Sequence, residues 1–361
     1  MTTRTAIRLA DGRELIYFDD VPGRDRSAVD TRSADGAAYA PQIRHDPIDE
    51  EWRIIAAHRQ SRTHLPPAAE CPLCPSRPAH PTEIPAADYD VVAFENRFPS
   101  LVMEPAGVAA AGGLLLRRAG VGRCEVLCYT SDHDATFADL PPARLATVAR
   151  AWVDRTLALS AVPGVESVFV FENCGEEIGV TLNHPHGQLF GYPFVPPRVE
   201  RALGAAERHR AATGRCLFCD VAAAEEAAGE RIVAATEHFV AFVPHAPRWP
   251  FEVHVHPRRH VADLAALAPA ELDEAVRLQA DVLSRFNTLF AAPAPYIAGW
   301  LQAPVRRGRD DWHLRLEVFS ARRATNRLKY LAASESGVGA FINDVLPEEA
   351  ARLLRDRLPA S

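Results

Sequence analysis

The chain has 361 residues, a formal net charge of −7 and a pI near 6.1, with ordinary shares of apolar and charged residues. Its length allows two domains, and its charge excludes a general binder of nucleic acid or membrane surfaces, so an anionic ligand needs a local cluster of basic groups. No apolar run approaches the roughly 18 residues of a spanning helix, and the N-terminus lacks the apolar core of a signal peptide, so a cytoplasmic protein without membrane partners is expected.

Residues 1–39 read as a hairpin turning at Asp11-Gly12, followed by a polar linker over 24–37. Cys71-Pro72-Leu73-Cys74 comes next, after a loop-like run with two prolines. In a reducing compartment such a pair means metal binding or redox chemistry. A redox dithiol normally opens a helix after a strand, so metal is the better reading. Beyond His133, apolar residues recur at helical spacing over 142–159. The apolar stretch 180–194 then carries Asn183-His184-Pro185-His186-Gly187-Gln188. In extended backbone, residues two apart share a face, so His184, His186 and Gln188 address one site. Pro185 cannot donate to a ladder, which favours an edge or irregular segment. Pro196-Pro197 marks a joint, a helix is predicted over 200–213, and Cys216-Leu217-Phe218-Cys219 is a second pair. Cys124, Cys128 and Cys174 lack such spacing and read as buried thiols.

The second half repeats the first. Residues 251–260 match 124–133, each with a Glu-Val step (Glu125, Glu252) eight residues before a histidine (His133, His260). Residues 264–272 match 137–145, and both lead into helical runs, 142–159 and 269–290. The offset is 127 (260 − 133). His184 lies 51 residues beyond His133 (184 − 133), and His313 lies 53 beyond His260 (313 − 260). Residues 311–319 alternate as a strand, with Trp312, Leu314, Leu316 and Val318 on one face and His313, Arg315 and Glu317 on the other. The latter three are the counterparts of His184, His186 and Gln188. One half keeps the second histidine and the other has arginine, which predicts a catalytic repeat over 40–197 and a non-catalytic one over 198–361. Each half also offers two cysteines and two histidines: Cys71, Cys74, His133 and His184, then Cys216, Cys219, His260 and His313. Two thiolates and two imidazoles satisfy a closed, tetrahedral zinc site, so two zinc ions are expected. The fold class is α+β: antiparallel sheets with packed helices, joined into one large sheet because apolar strands are seldom left with bare edges.

Residues 173–188 (Asn-Cys-Gly-Glu-Glu-Ile-Gly-Val-Thr-Leu-Asn-His-Pro-His-Gly-Gln) resemble the active-site segment of the galactose-1-phosphate uridylyltransferases, a family of the histidine-triad superfamily built from two such repeats. Phe94-Glu95-Asn96-Arg97-Phe98 and Arg248-Trp249-Pro250-Phe251-Glu252 support the likeness, which covers roughly residues 40–355. The resemblance implies a ping-pong transfer of UMP from UDP-glucose to galactose 1-phosphate. His186 would carry the uridylyl group, and Gln188 would donate to a phosphoryl oxygen. It also implies that Arg59, Arg62, Asn96, Phe98, Asn173 and Thr181 surround the nucleotide, that Lys329, Tyr330 and Glu335 meet the hexose phosphate, and that two chains pair as a homodimer. Some relatives hold a further metal at positions that are here Ala202, Leu301, Arg315 and Glu317, so that site is expected to be lost. The hexose stretch departs too, with Ser334-Glu335 and Phe341 where relatives show Tyr-Glu and glutamine. Two alternatives share these residues: a phosphorylase of ADP-sugars or dinucleoside polyphosphates, and a zinc-stabilised nucleotide-binding protein without turnover.

Overall fold

Eleven antiparallel strands make one sheet, and their order shows how the two halves of the chain are joined. The computed structural model describes residues 2–33 and 38–357. The first half supplies β1 (Thr3–Arg8), β2 (Glu14–Asp19), β3 (Gln42–Asp46), β4 (Glu51–Ile55), β5 (Val91–Glu95), β6 (Arg117–Ala119), β7 (Arg123–Cys128), α1 (Pro142–Ser160), β8 (Ser167–Cys174) and β9 (His186–Tyr192). The second supplies α2 (Pro197–Thr213), α3 (Leu217–Ala228), β10 (Ile232–Ala235), β11 (Phe239–Phe242), β12 (Phe251–Pro257), α4 (Pro269–Leu289), β13 (Tyr296–Leu301), β14 (Arg315–Ser320), β15 (Arg322–Ala324), β16 (Arg327–Leu328) and α5 (Pro347–Arg355). The order is β1-β2-β5-β7-β9-β8-β13-β14-β12-β11-β10. Outward from the central β8–β13 pair, the halves match: β8, β9, β7, β5, β2 on one side and β13, β14, β12, β11, β10 on the other. The repeat seen in the sequence is therefore a repeat of fold, with β1 an addition to the first half. Strands β4-β3-β6 form a separate small sheet.

The helical runs predicted over 142–159, 269–290 and 200–213 are α1, α4 and α2. Pro142, Pro269 and Pro197 each sit in the first turn, where a missing N–H costs nothing. Helices α1 and α4 cover one face of the sheet. Leu145, Val148 and Trp152 of α1 and Val276, Leu283 and Phe286 of α4 pack on Val168, Val170, Leu189, Val253, Leu316 and Val318. Full burial of such a side chain contributes about 1.5–3 kcal/mol. The opposite face is left for the site. Among the described residues no helix is long and apolar enough to cross a membrane.

Four expectations are corrected here. First, β9 is not an edge strand but lies between β7 and β8. Pro185 precedes the strand and has only to accept, taking the Tyr129 amide on its carbonyl. Second, Glu125 and Glu252 match in sequence but occupy opposite faces. Glu125 turns toward α1 and takes two bonds of 2.8 Å from buried Arg155, whereas Glu252 accepts from the Arg248 and Trp249 amides. Register explains this: Val126 lies opposite Gln188, and His254, not Val253, lies opposite Glu317. A slip of one residue inverts every side chain of a strand. Third, Trp312 precedes β14 and packs against Phe218, apart from Leu314, Leu316 and Val318. Fourth, the linker expected over 24–37 is anchored in its described part. Buried Arg26 pairs with Asp19 and lies 4.5 Å from the Tyr17 ring centre, while residues 34–37 fall outside the described residues.

Candidate active site and metal centres

Strand β9 sends His186, Gln188 and Phe190 to the open face and Gly187, Leu189 and Gly191 toward α1. The His186 Nδ1–H donates to the His184 carbonyl at 2.7 Å. That bond fixes the tautomer and leaves Nε2 as the free, lone-pair nitrogen. Burial pushes the imidazole below its ordinary value of 6.5, against the opposing pull of the His184 carbonyl, so the ring is neutral near pH 7. Gly187 is required by space. A Cβ there would lie 2.0 Å from the Tyr129 hydroxyl and 2.9 Å from the Phe171 carbonyl. Tyr129 cannot retreat, since Phe137 and Trp152 flank its ring. We predict that Gly187→Ala destabilises the fold by about 2–3 kcal/mol and misplaces both neighbours. An unfolding midpoint in urea equal to that of the parent would contradict this.

His186 and Gln188 line a cavity of about 290 Å³ together with Arg59, Arg62, Asn96, Phe98, Asn173 and Thr181. All eight residues expected around the nucleotide thus meet in one place, brought there by five separate segments. Arg59 sits in a short 3-10 turn, Ala57–Ser61, and donates to the Phe98 carbonyl. Asn96 accepts from the Phe98 amide at 2.8 Å, which shapes the turn after β5. Among the described residues, neither Arg59 nor Arg62 has a carboxylate partner, and burial with Arg62 alongside lowers the Arg59 guanidinium. Two unneutralised guanidiniums in a half-open cavity suit an anion. Sequence reasoning missed the aromatic wall, where Phe171 meets Phe190 edge-on at 5.1 Å. Alternation along β8 and β9 carried that signal.

The His184 ring turns away from this cavity and into the first cysteine pair, so the three residues expected to share one site divide between two. The ligating atoms of Cys71, Cys74, His133 and His184 all lie within 4.8 Å of one another. The Cys74 Sγ is 3.4 Å from Nδ1 of His133 and 3.6 Å from Nδ1 of His184. Nε2 of His184 meets the Thr130 carbonyl at 2.8 Å and the Tyr89 hydroxyl at 2.7 Å, so the unprotonated Nδ1 faces the thiols. Burial pushes Cys74 up to about 12, and Cys71 beside it adds to the rise. Both sulfurs could be held as thiolates together only with a cation between them. Cys216, Cys219, His260 and His313 likewise lie within 4.8 Å of one another. Cys219 Sγ is 3.5 Å from Nδ1 of His260 and 3.3 Å from Nδ1 of His313, whose Nε2 donates to the Pro257 carbonyl at 2.9 Å. Thr130 and Pro257 are 127 residues apart (257 − 130), so the duplication extends to the carbonyl that orients the ligand. Cys216 is pulled down to about 5, first by a hydrogen bond from the Cys219 thiol and then by amides at the start of α3; Cys219 is pushed up. Both donor sets fit a tetrahedral metal.

Residues 29–196 match the model of the galactose-1-phosphate uridyl transferase N-terminal domain, and residues 203–360 match that of the C-terminal domain. A galactose-1-phosphate uridylyltransferase of Streptomyces lividans is 42% identical over 98% of this chain and 97% of its own length. The chain belongs to the galactose-1-phosphate uridylyltransferase family. It is accordingly an enzyme of the transferase class. A solved uridylyltransferase structure overlays with a TM-score of 0.78 at 30% identity, covering 87% of this chain and 97% of that one. An ADP-glucose phosphorylase from Arabidopsis thaliana, solved with bound ADP-glucose, shares the fold at TM-score 0.67 and 22% identity, over 88% of this chain and 99% of that one.

Of the positions the resemblance singled out for a further metal, Arg315 donates from Nε to Glu317 at 2.9 Å. In the hexose stretch, none of Lys329, Tyr330 and Glu335 lines the cavity. Lys329 bonds Glu335 at 2.9 Å, which holds that carboxyl near 2, and both are buried. Tyr330 projects, 76% exposed.

Proposed function

We propose that this enzyme moves UMP from UDP-glucose to galactose 1-phosphate by a ping-pong mechanism through a uridylyl–His186 intermediate. The observation that carries the reading is the His186 ring itself, its Nδ1 tied to the His184 carbonyl and its Nε2 free in a cavity with two unpaired guanidiniums. Nε2 attacks the α-phosphorus of UDP-glucose; a nitrogen–phosphorus bond forms, and the bond to the bridging oxygen breaks, releasing glucose 1-phosphate. A phosphate oxygen of galactose 1-phosphate then attacks the same phosphorus and breaks the bond to nitrogen, restoring the neutral ring. The Gln188 amide, which has no protein partner among the described residues, donates to a non-bridging oxygen as charge develops there. Arg59 and Arg62 neutralise the diphosphate, Asn96, Asn173 and Thr181 hold the nucleoside, and Phe98 covers its apolar side.

Zinc is the metal that suits both Cys₂His₂ sets, and with four protein ligands it would supply structure rather than an open Lewis-acid position. His184 serves twice, its ring among the first set and its carbonyl on His186, so anchoring that ring aims the nucleophile. We divide the chain into an N-terminal hairpin and linker (1–39), a catalytic repeat (40–197) and a non-catalytic repeat (198–361). The working unit we propose is a homodimer in the cytoplasm, a compartment in keeping with seven unbridged cysteines. There the Lys329–Glu335 pair would shape the hexose stretch and Tyr330 would make its contact.

Purified protein should convert UDP-glucose plus galactose 1-phosphate and leave ADP-glucose plus phosphate essentially untouched; the reverse preference would replace this reading with the phosphorylase one. The lowered His186 pKa also fixes the sign of a pH profile. The neutral form attacks, so kcat/KM for the UDP-glucose half-reaction should stay level as pH falls through 6.5 and decline only below it. A half-loss at or above 6.5 would contradict the assignment.

A further inference from the structure

The second half keeps a recess at the place that corresponds to the active cavity. With His184 equivalent to His313, Arg315 stands where His186 does and Glu317 where Gln188 does (offset 129; 313 − 184). This recess, about 480 Å³, is bordered by four guanidiniums, Arg198, Arg201, Arg248 and Arg315, and by the carboxylates of Glu225 and Glu317. Both carboxylates are already engaged. Glu317 pairs with Arg315 at 2.9 Å and Arg198 at 2.6 Å, and Glu225 with Arg231 at 2.7 Å and the His245 amide at 2.8 Å. Positive charge is left over. Three groups at its wall are nine-tenths buried with an atom that makes no hydrogen bond among the described residues: both ring nitrogens of His256, Nη1 of Arg315 and Oε2 of Glu317, the last still ion-paired with Arg198. Buried donors of this kind normally have partners.

We propose that this recess binds a phosphate group. Arg315 and His256 would donate from its wall, and Arg201 and Arg248 would close over it from the rim. A divalent cation is the competing occupant, because Glu252, His254 and Glu317 bring ligating atoms within 4.8 Å of one another. It would have to strip Glu317 of two guanidiniums and Glu252 of two backbone amides. An anion would cost less: Arg201 gives up only a loose, largely exposed pair with Glu51 at 3.6 Å, and Arg248 a place over the Phe341 ring.

The test is a titration of inorganic phosphate into the full-length protein, into R201A/R248A and into R59A/R62A, followed by calorimetry. Wild type should show two classes of site. R201A/R248A should weaken one of them at least about tenfold while melting as wild type does and retaining transfer activity; R59A/R62A should weaken the other. Arg201, largely exposed at the rim, allows R201E as a second variant with the same expected loss. Competition by galactose 1-phosphate or by UMP at the site that survives R59A/R62A would identify the natural source of the phosphate. Unchanged binding in R201A/R248A and R201E would overturn the proposal. So would a third metal ion per chain that is lost in Glu252→Gln.

Discussion

Glycine in place of His186 should lower transfer by roughly 10⁴-fold or more and leave the fold standing, since removal of a nucleophile abolishes the covalent route altogether. The ring is half-buried and faces the cavity rather than the core, so its loss opens space in the cavity and not in the core. Gln188→Ala is the graded companion. It removes one donor to developing charge and should cost on the order of 10²–10³ in kcat. Steady-state assays with UDP-glucose and galactose 1-phosphate check both. A glycine variant within tenfold of the parent would mean that turnover uses another group, and a Gln188→Ala loss as deep as that of His186→Gly would mean that their roles are misassigned.

The second large effect concerns the metal. Cys74→Ser replaces the sulfur that faces both His133 and His184, and a neutral hydroxyl is a poor substitute for a thiolate at such a site. Elemental analysis of the parent should give two zinc ions per chain, one for each Cys₂His₂ set, and one in the variant. Stability should fall by upwards of about 4 kcal/mol, because the set ties together the loop after β4, the turn after β7 and the entry to β9. Transfer should fall further than unfolding alone explains, as freeing the His184 ring also frees the carbonyl that holds His186. Cys219→Ser provides the contrast: it should release the other ion with comparable destabilisation, yet leave the UDP-glucose half-reaction of the folded fraction intact. Two ions retained in Cys74→Ser would contradict the ligand assignment.

Much of this architecture is written in side chains whose chemistry shows through the sequence. Two cysteine pairs, each followed by two histidines in the same order, located both candidate metal sets, and apolar spacing located α1, α2 and α4, because ligation and burial each demand particular residue types. What stayed hidden depends on backbone atoms or on register. The carbonyls of Thr130, Pro257 and His184 orient three imidazoles, yet a carbonyl has no sequence signature. The Glu125 and Glu252 positions look alike in a string of letters, and only the pairing of β12 with β14 shows that they face opposite ways. The interior position of β9 was hidden for a related reason: Pro185 forbids a ladder bond only at its own nitrogen, one residue ahead of the strand. The aromatic wall of Phe171 and Phe190 followed the alternation of β8 and β9, but alternation alone does not tell a ligand-facing row from a core-facing one.

The most direct test needs only one substrate. Intact-protein mass spectrometry after incubation with UDP-glucose, in the absence of any acceptor sugar, should show a single added uridylyl group that maps to His186 and disappears when galactose 1-phosphate is supplied. An unchanged mass under conditions where the full reaction turns over, or an adduct on any other residue, would contradict the covalent mechanism.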